Sequence, residues 1–495
     1  MGRMLNNMNT DILVVGGGAA GISAAISAAR NGAKTILVEY NGFLGGISAT
    51  LPWLGFHDRE YRQVVKGLSH EIVQKLYDMG ASTNYIFDPK CSSFVSIDSH
   101  SWKCLAIEMA NDAGVKIMLH THVVDVIREG NEIKGVVVEH KTGRQNIYAK
   151  VTIDCSGDGD VAYKGGVSWE KGRTEDGLVQ APTLVFRLGG IDSTNFINIV
   201  KDEVYNYREW LKPYPLLMKK TISNIEQNYS FIIGGLAALI IKARGAGDFD
   251  LPQTRIVGVK SHRPDQLTLV TTRVLGLDPT NVDSVSNAYV KLYDQIPQLV
   301  KFFQKYVPGC DNSYLLEIAP MLGIRESRRI MGDYILNADD LIIGKVFEDA
   351  IAMGGYHIDI HRPKGTWVES HNVRAYTIPL RSLIAKGVNG LLMAGKCISA
   401  THEAIASTRV IPICMAQGEA AGTAAALAIK SDINVRQLNI SKLQKQLNVQ
   451  NVEFGQSIGE PNTEIIERIG QLPFDEPPTT GDNDELAKKD NSWVR

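Results

Sequence analysis

Three glycines spaced Gly16-x-Gly18-x-x-Gly21 constrain this chain more than any other feature of it. They follow the apolar run Ile12-Leu13-Val14-Val15, which reads as a strand buried on both faces of a parallel sheet. Beyond them, Ile22 to Arg30 carries Ala24, Ala25, Ala28 and Ala29 at helical spacing, and Asn31-Gly32 supplies a C-cap. Thr35 to Val38 reads as a second strand, completing a βαβ unit. In that context the first glycine allows a tight turn, the second lets the backbone approach a pyrophosphate, and the third lets helix and strand pack closely. The phosphates would lie at the helix N-terminus, against free N–H groups and about half a positive charge. Glu39 ends the second strand, where a carboxylate can take both ribose hydroxyls and would repel a 2′-phosphate.

Two further segments distinguish a flavin dinucleotide from NAD. Asn41-Gly42-Phe43-Leu44-Gly45-Gly46 is a loop of small residues able to pass close to a flavin-side phosphate, which a simple NAD domain does not need. Far downstream, Asn389 to Ala394 reads as a strand followed by Gly395, and an Ala- and Gly-rich helix runs from about Ile411 to Lys430 with Pro412 in its first turn. A helix N-terminus there would stabilise the negative charge of reduced flavin. Gly418 and Gly422 share one face of this helix, and the Ala-lined helix after the first strand is the expected neighbour. Between the two ends, Ser101 to Gly114 reads as a helix, Val115 to Leu119 as a strand, and His122 to Val151 as a three-stranded meander. Leu51 to Trp102 is irregular and reads as an insertion.

The expected fold class is therefore α/β: a Rossmann-type FAD-binding domain, with a parallel sheet plus the meander, and an inserted α+β substrate domain. The boundaries fall at 1–165 and 385–432 for the two parts of the FAD-binding domain and 166–384 for the substrate domain. Residues 433–495 form a C-terminal helix and a polar tail, whose Pro-, Gly- and Asp-rich end from Glu476 reads as poorly ordered. At 495 residues, more than one core is the natural expectation.

Lys plus Arg is 52 against 54 for Asp plus Glu, so no basic surplus exists to neutralise nucleic-acid phosphates. The six cysteines include no C-x-x-C pair, which counts against a zinc ribbon, an iron–sulfur cluster and a redox dithiol, and no metal site is assigned. The apolar start of the chain is broken at once by Gly16-Gly17-Gly18, so it reads as strand and turn rather than signal peptide. Phe231 to Ile241 is about half a membrane span. A cytoplasmic protein with no membrane span is expected.

The segments 11–46, 151–166, 323–341 and 378–428 together resemble the FAD-dependent oxidoreductases of the glutathione-reductase-like, two-dinucleotide-domain superfamily. The resemblance is narrowest to a bacterial group distantly similar to fumarate reductase flavoproteins and heterodisulfide reductase flavoprotein subunits. It implies that Gly16, Gly18, Ala20 and Gly21 serve the pyrophosphate, Glu39 the ribose, Gly45 and Gly46 the flavin side, and Val123 the adenine. Gly157 and Asp160 would line the cofactor, and Gly395 would approach the isoalloxazine. Ile47, not His, follows the Gly-Gly pair, so FAD is expected to be non-covalent.

The expected activity is hydride transfer between flavin N5 and a small polar substrate, with a carboxylate as one candidate and the electron acceptor open. Rival readings are a non-redox flavoenzyme (isomerase or hydratase) and an electron-transfer subunit. His402 and Arg409 are the candidate catalytic residues, because Cys397 to Arg409 reads as a loop tethered at both ends to the flavin. The alternative has Arg409 paired with Glu403 or Glu419. Arg325, Arg328 and Arg329 would share a face if helical and could clamp a carboxylate, or form a surface ion-pair cluster with Glu326 and Asp333. His357, Asp359 and His361 alternate along a possible strand and read more readily as a polar face than as metal ligands. The sequence leaves substrate, reaction direction and oligomeric state open, a homo-oligomer included.

Overall fold

The computed structural model describes residues 5–460 apart from 52, 208–214, 229, 364–367 and 457; the tail from Glu476 lies outside these. The first strand, Met8–Val15, is buried from Ile12 onward and lies at the centre of a mixed sheet. Parallel to it run Thr35–Val38 on one side, with Lys116–Met118 beyond, and the last half of the long strand Gly143–Asp154 on the other. That long strand serves two partners. Its first half closes an antiparallel meander with Glu132–His140 and His122–Glu129, while Thr152 to Asp154 pair in parallel with Leu391–Met393. The sheet thus joins residues from both ends of the sequence, as its α/β reading requires.

The helix Ala19–Arg30 follows the glycine turn and ends at Asn31. Across it lies the helix Ile411–Lys430, buried from Ile411 to Ala428. A Cβ on Gly418 would run into the Ala20 carbonyl and one on Gly422 into the Ala24 carbonyl, so the two glycines set the closeness of this crossing. Ser27 and Thr423 share a hydrogen bond of 2.7 Å within it. No single helix among the described residues is long and apolar enough to cross a membrane; the bent pair His402–Thr408 and Ile411–Lys430 passes only by length and composition, and it is packed inside the protein.

A second core draws on residues from Leu184 to Leu322, with Tyr61 added. It lies on an antiparallel sheet ordered Phe231–Gly235, Ile256–Lys260, Leu267–Leu269, Phe186–Gly189 and Tyr314–Ile318. The 25-residue helix Val282–Tyr306 contributes Leu292, Phe302 and Phe303 to it. From Ile330 onward, buried side chains join the first core again.

Three local expectations are corrected. Residues 328–330 are a strand, not part of a helix: Arg328–Ile330 pairs with Trp169–Lys171, so Arg325, Arg328 and Arg329 share no helical face. The segment before Arg409 is not all loop. Thr401 caps a short helix, His402–Thr408, by accepting the Ala404 N–H. The insertion at 51–102 is not irregular throughout, since it holds the helix Leu68–Asp78 and the hairpin Ile86–Asp88 with Ser92–Phe94.

Glu419, on the buried helix, accepts the Leu68 N–H at 2.8 Å and Gln450 Nε2 at 3.1 Å. Burial pushes its carboxyl from 4.5 up to about 7. The folded state therefore binds this proton more tightly than the unfolded chain. Its contribution to stability is full below about pH 4.5 and is lost as pH rises through about 7, a swing on the order of 3 kcal/mol. Melting temperatures measured from pH 5 to 8 should fall with pH in the parent protein and much less in Glu419→Gln. Equal slopes would remove Glu419 as the cause.

Candidate active site

A cavity of about 790 Å3, the size of small-ligand and cofactor sites, starts at the glycine turn. Gly16 adopts φ +95°, where a Cβ would crowd the Cys155 carbonyl carbon at 2.7 Å. Gly18 lines the cavity, and a Cβ there would meet no atom within 4 Å, so its missing side chain leaves open space rather than a packed contact. Gly21 does not line the cavity; a Cβ on it would meet the Gly16 carbonyl, so it brings helix and strand together. No side chain caps the helix Ala19–Arg30, and Gly18, Ala19 and Ala20 at its positive end all face the cavity.

Glu39 lines the same end and is buried. Its Oε2 accepts the Gly17 N–H at 2.6 Å, and Oε1 accepts the Asn41 N–H at 2.7 Å. Gly46 lines the cavity; Gly45 does not, but its N–H donates to the Gly17 carbonyl and draws the loop against the turn. Val123 is in the lining beside Thr121 and His122. Gly157, Asp158 and Asp160 line the next stretch. Their loop is organised by Asp154, which accepts the Ser156 N–H and hydroxyl and the Ala162 N–H. Burial pushes the Asp154 carboxyl up to about 6.

Another part of the wall is built from the chain's last third. Gly395 lies at φ +96°, and its N–H donates to Gln417 Oε1 at 2.8 Å, while Gln417 Nε2 donates to the Thr408 carbonyl. Lys396 Nζ donates to the Gly157 carbonyl at 2.6 Å and pairs with Asp158. Val410, Ile411, Pro412 and Cys414 bring the uncapped start of the helix Ile411–Lys430 to the wall. Two helix N-termini thus face one groove, which suits a ligand carrying negative charge at more than one place.

Beyond lies a second, cationic region. Lys90, Arg255, Arg325 and Arg409 line it against the carboxylates Asp88 and Asp359. Arg325 Nη1 donates to the Ala181 carbonyl at 2.5 Å and Thr183 Oγ1 at 2.9 Å. Burial and the neighbouring Arg409 charge lower its pKa to about 9, which still leaves it charged at neutral pH. Arg409 Nη2 donates to the Asp359 carbonyl at 2.9 Å and lies 3.7 Å from the Asp359 carboxylate. Burial opposes the charge on Asp359, but the hydrogen bond from His361 and the Lys90 charge outweigh it and hold the carboxyl well below its usual value. The His361 pKa is lowered too: burial, then the Arg325 charge, keep its imidazole neutral.

Among the sequence candidates, Arg409 lines the cavity and His402 does not. His402 is buried, with Nδ1 2.8 Å from Glu326 Oε2. Glu326 also pairs with Arg329 and accepts the Gln180 N–H. Gln180 Oε1 in turn accepts from Arg409 Nη2 and the His361 N–H, so His402 reaches the cavity only through two intermediaries. Arg409 pairs with neither Glu403 nor Glu419. Of the arginine trio only Arg325 lines the cavity; Arg328 pairs with Asp160, and Arg329 sits on Glu326, so this is no surface cluster. Asp333 pairs instead with Arg436. Among the described residues no group of three or more His, Cys, Asp and Glu side chains is placed to hold a metal ion. His357 is buried outside the lining, whereas Asp359 and His361 are in it. Sequence reasoning missed Lys90 and Arg255, since nothing local in a hairpin tip or before the strand Ile256–Lys260 marks either as facing a ligand.

The sequence profile of the family described as FAD dependent oxidoreductase matches residues 11–447. Among curated relatives, a digeranylgeranylglycerophospholipid reductase of Picrophilus torridus is 28% identical over 167 residues, covering 30% of this chain and 40% of that protein. A thiamine thiazole synthase of Sulfolobus acidocaldarius is 28% identical over 164 residues, covering 31% of this chain and 57% of its own length. The chain thus spans about half the length of these relatives. Among solved structures, a geranylgeranyl bacteriochlorophyll reductase-like protein from Thermoplasma acidophilum matches at TM-score 0.42 and 12% identity, over 93% of this chain and 98% of that one. An aklavinone-11 hydroxylase in complex with FAD and aklavinone matches at TM-score 0.44 and 12% identity, over 94% and 70%.

Proposed function

The chain belongs to the FAD-dependent oxidoreductase family, and from that premise we propose that it is a dehydrogenase or reductase acting on a small organic anion, whose carboxylate is held by Arg325 and Arg409. The residues fit the cofactor: open space at Gly18, a buried carboxylate at Glu39 and two uncapped helix ends along one groove match a dinucleotide with a flavin at its far end. When bound, FAD supplies a two-electron acceptor or donor at its N5. With no His after Gly46, it is bound without a covalent link in this reading.

The observation that carries the proposal is the continuity of one cavity from the glycine turn to a buried region where four cations face two carboxylates. A surplus of positive charge away from bulk water attracts and orients an anion. A guanidinium can grip a carboxylate with two parallel N–H bonds, which fixes the substrate's orientation as well as its affinity. His402, Glu326 and Gln180 do not touch the substrate in this account; they hold Arg409 and the backbone of His361 in place.

The test is anaerobic mixing of the FAD-loaded protein with small carboxylates and their neutral alcohol or amide counterparts, read as loss of flavin absorbance. A carboxylate should bleach the parent protein. Arg325→Ala and Arg409→Ala should each weaken its apparent affinity roughly 10- to 100-fold, the worth of a charged hydrogen bond, with FAD still bound. Bleaching by neutral compounds and by no carboxylate would overturn the assignment.

A further inference from the structure

We propose that His361, oriented by Asp359, accepts the substrate proton during oxidation, and that the substrate is accordingly a hydroxy carboxylate. This rests on the reading above of an anionic substrate at Arg325 and Arg409.

The imidazole is held on one side and open on the other. Nε2 lies 3.2 Å from Asp359 Oδ2, and a carboxylate can only accept, so Nε2 carries the hydrogen and Nδ1 the lone pair. Nδ1 makes no hydrogen bond to the described residues and is absent from the buried, unsatisfied atoms, whereas His361 lines the cavity: the lone pair faces the space a substrate would take. The backbone is fixed as well. The His361 N–H donates to Gln180 Oε1 at 3.2 Å, and its carbonyl accepts from the Ala181 N–H at 3.1 Å. A two-stranded ribbon, Ile358–His361 with Val368–His371, carries the residue and packs on the helix His402–Thr408 just before Arg409.

Asp359 is shared between imidazole and guanidinium, 3.2 Å from His361 and 3.7 Å from Arg409. Before reaction, burial, then the Arg325 and Arg409 charges, keep His361 neutral, with its Nδ1 lone pair free for a proton. In the step proposed, the substrate O–H bond breaks and its proton goes to Nδ1. The adjacent C–H breaks, its hydrogen leaving with two electrons to oxidised FAD, and the C–O single bond becomes C=O. The imidazolium formed is stabilised by the Asp359 carboxylate, as a base needs for its proton-transfer step.

Two measurements decide this. Diethylpyrocarbonate should carbethoxylate His361 in the holoprotein, with sites read by peptide mass spectrometry, and oxalate should slow the modification at least fivefold by occupying the arginines. The exposed His100 and His371 are internal controls that oxalate leaves unchanged. An unmodified His361 beside modified controls would mean that Nδ1 is not open, overturning the proposal. The second measurement bleaches bound FAD anaerobically with a panel of lactate, malate, 2-hydroxyglutarate and glycerate. His361→Gln should slow bleaching by at least 100-fold at unchanged FAD content, and added imidazole should restore part of the rate in His361→Ala. A rate within threefold of the parent would overturn the proposal while leaving the anionic-substrate reading intact. Bleaching of the parent by neutral alcohols alone would instead overturn that reading and, with it, the substrate class named here.

Discussion

Gly418→Val should yield no folded, FAD-bearing protein, and Gly418→Ala should yield protein melting a few degrees lower. The physical reason is local and severe. A Cβ at 418 would run into the backbone carbonyl of Ala20, with the Ala20 carbonyl carbon at 2.7 Å and its Cα at 2.9 Å. Backbone cannot rotate away as a side-chain tip can, so the helix itself must shift. Overpacking a tight core costs about 1–3 kcal/mol and occasionally more, and in a chain of this length that corresponds to a fall of roughly 1–3 °C for the alanine variant. The valine adds two methyls at the same contact. Ala20 also lines the cavity beside the glycine turn, so displacement there disturbs the cavity as well as the core. Gly245→Ala is the control, since a Cβ at that helix end meets nothing within 4 Å. Melting curves and flavin content of the three variants check the prediction. A Gly418→Val protein with full FAD and parental melting temperature would mean that the two helices do not touch.

Glu39→Ala should lose FAD almost completely at micromolar concentrations. Two charge-assisted hydrogen bonds to a ribose, at roughly 1.5–3 kcal/mol each, correspond to about 10²- to 10⁴-fold in Kd. The structure adds a second effect. The Glu39 carboxylate accepts the N–H groups of Gly17 and Asn41, so its removal leaves the glycine turn and the following loop less firmly held even without cofactor. The apoprotein of Glu39→Ala should therefore melt below the parental apoprotein as well. FAD released into the supernatant on acid precipitation measures occupancy; in the parent it should approach one per chain, and flavin left in the pellet would show a covalent link. Parental FAD retention in the alanine variant would remove Glu39 from the ribose site.

The part of the cavity built on the glycine turn was legible because its signals are local. Gly16, Gly18, Gly21 and Glu39 sit within one βαβ unit, where strand, turn and helix are each set by neighbouring residues. The contact of Gly418 and Gly422 with the first helix was legible for a similar reason: small residues four apart on a buried helix need a close neighbour, and an Ala-lined helix was available. The cationic region was legible only in part. Arg325, His361 and Arg409 stood out one at a time in the sequence, Lys90 and Arg255 did not, and only tertiary packing brings the five segments to one cavity. His402 shows the limit from the other side. Its neighbours do reach the cofactor groove, but a short capped helix turns its ring inward to Glu326, a residue 76 positions earlier. The arginine trio failed for want of a helix: Arg328–Ile330 satisfies its backbone across a strand pair, and that choice sends the three guanidinium groups to different partners.

One consequence of the shared sheet concerns synthesis on the ribosome. The strand Met8–Val15 and the helix behind it are made some 380 residues before the strand Leu391–Met393 and the helix Ile411–Lys430 that complete their packing. At 5–20 residues per second that interval is roughly 20–75 s. For that time the apolar strand and the alanine face of the first helix have no final partner, although local folding of the βαβ unit is already possible. The inserted core, contiguous from Leu184 to Leu322, can form while the first one waits. The nascent chain is thus exposed to chaperone capture or aggregation through its first βαβ unit, and a complete cofactor groove waits for the helix Ile411–Lys430 to emerge.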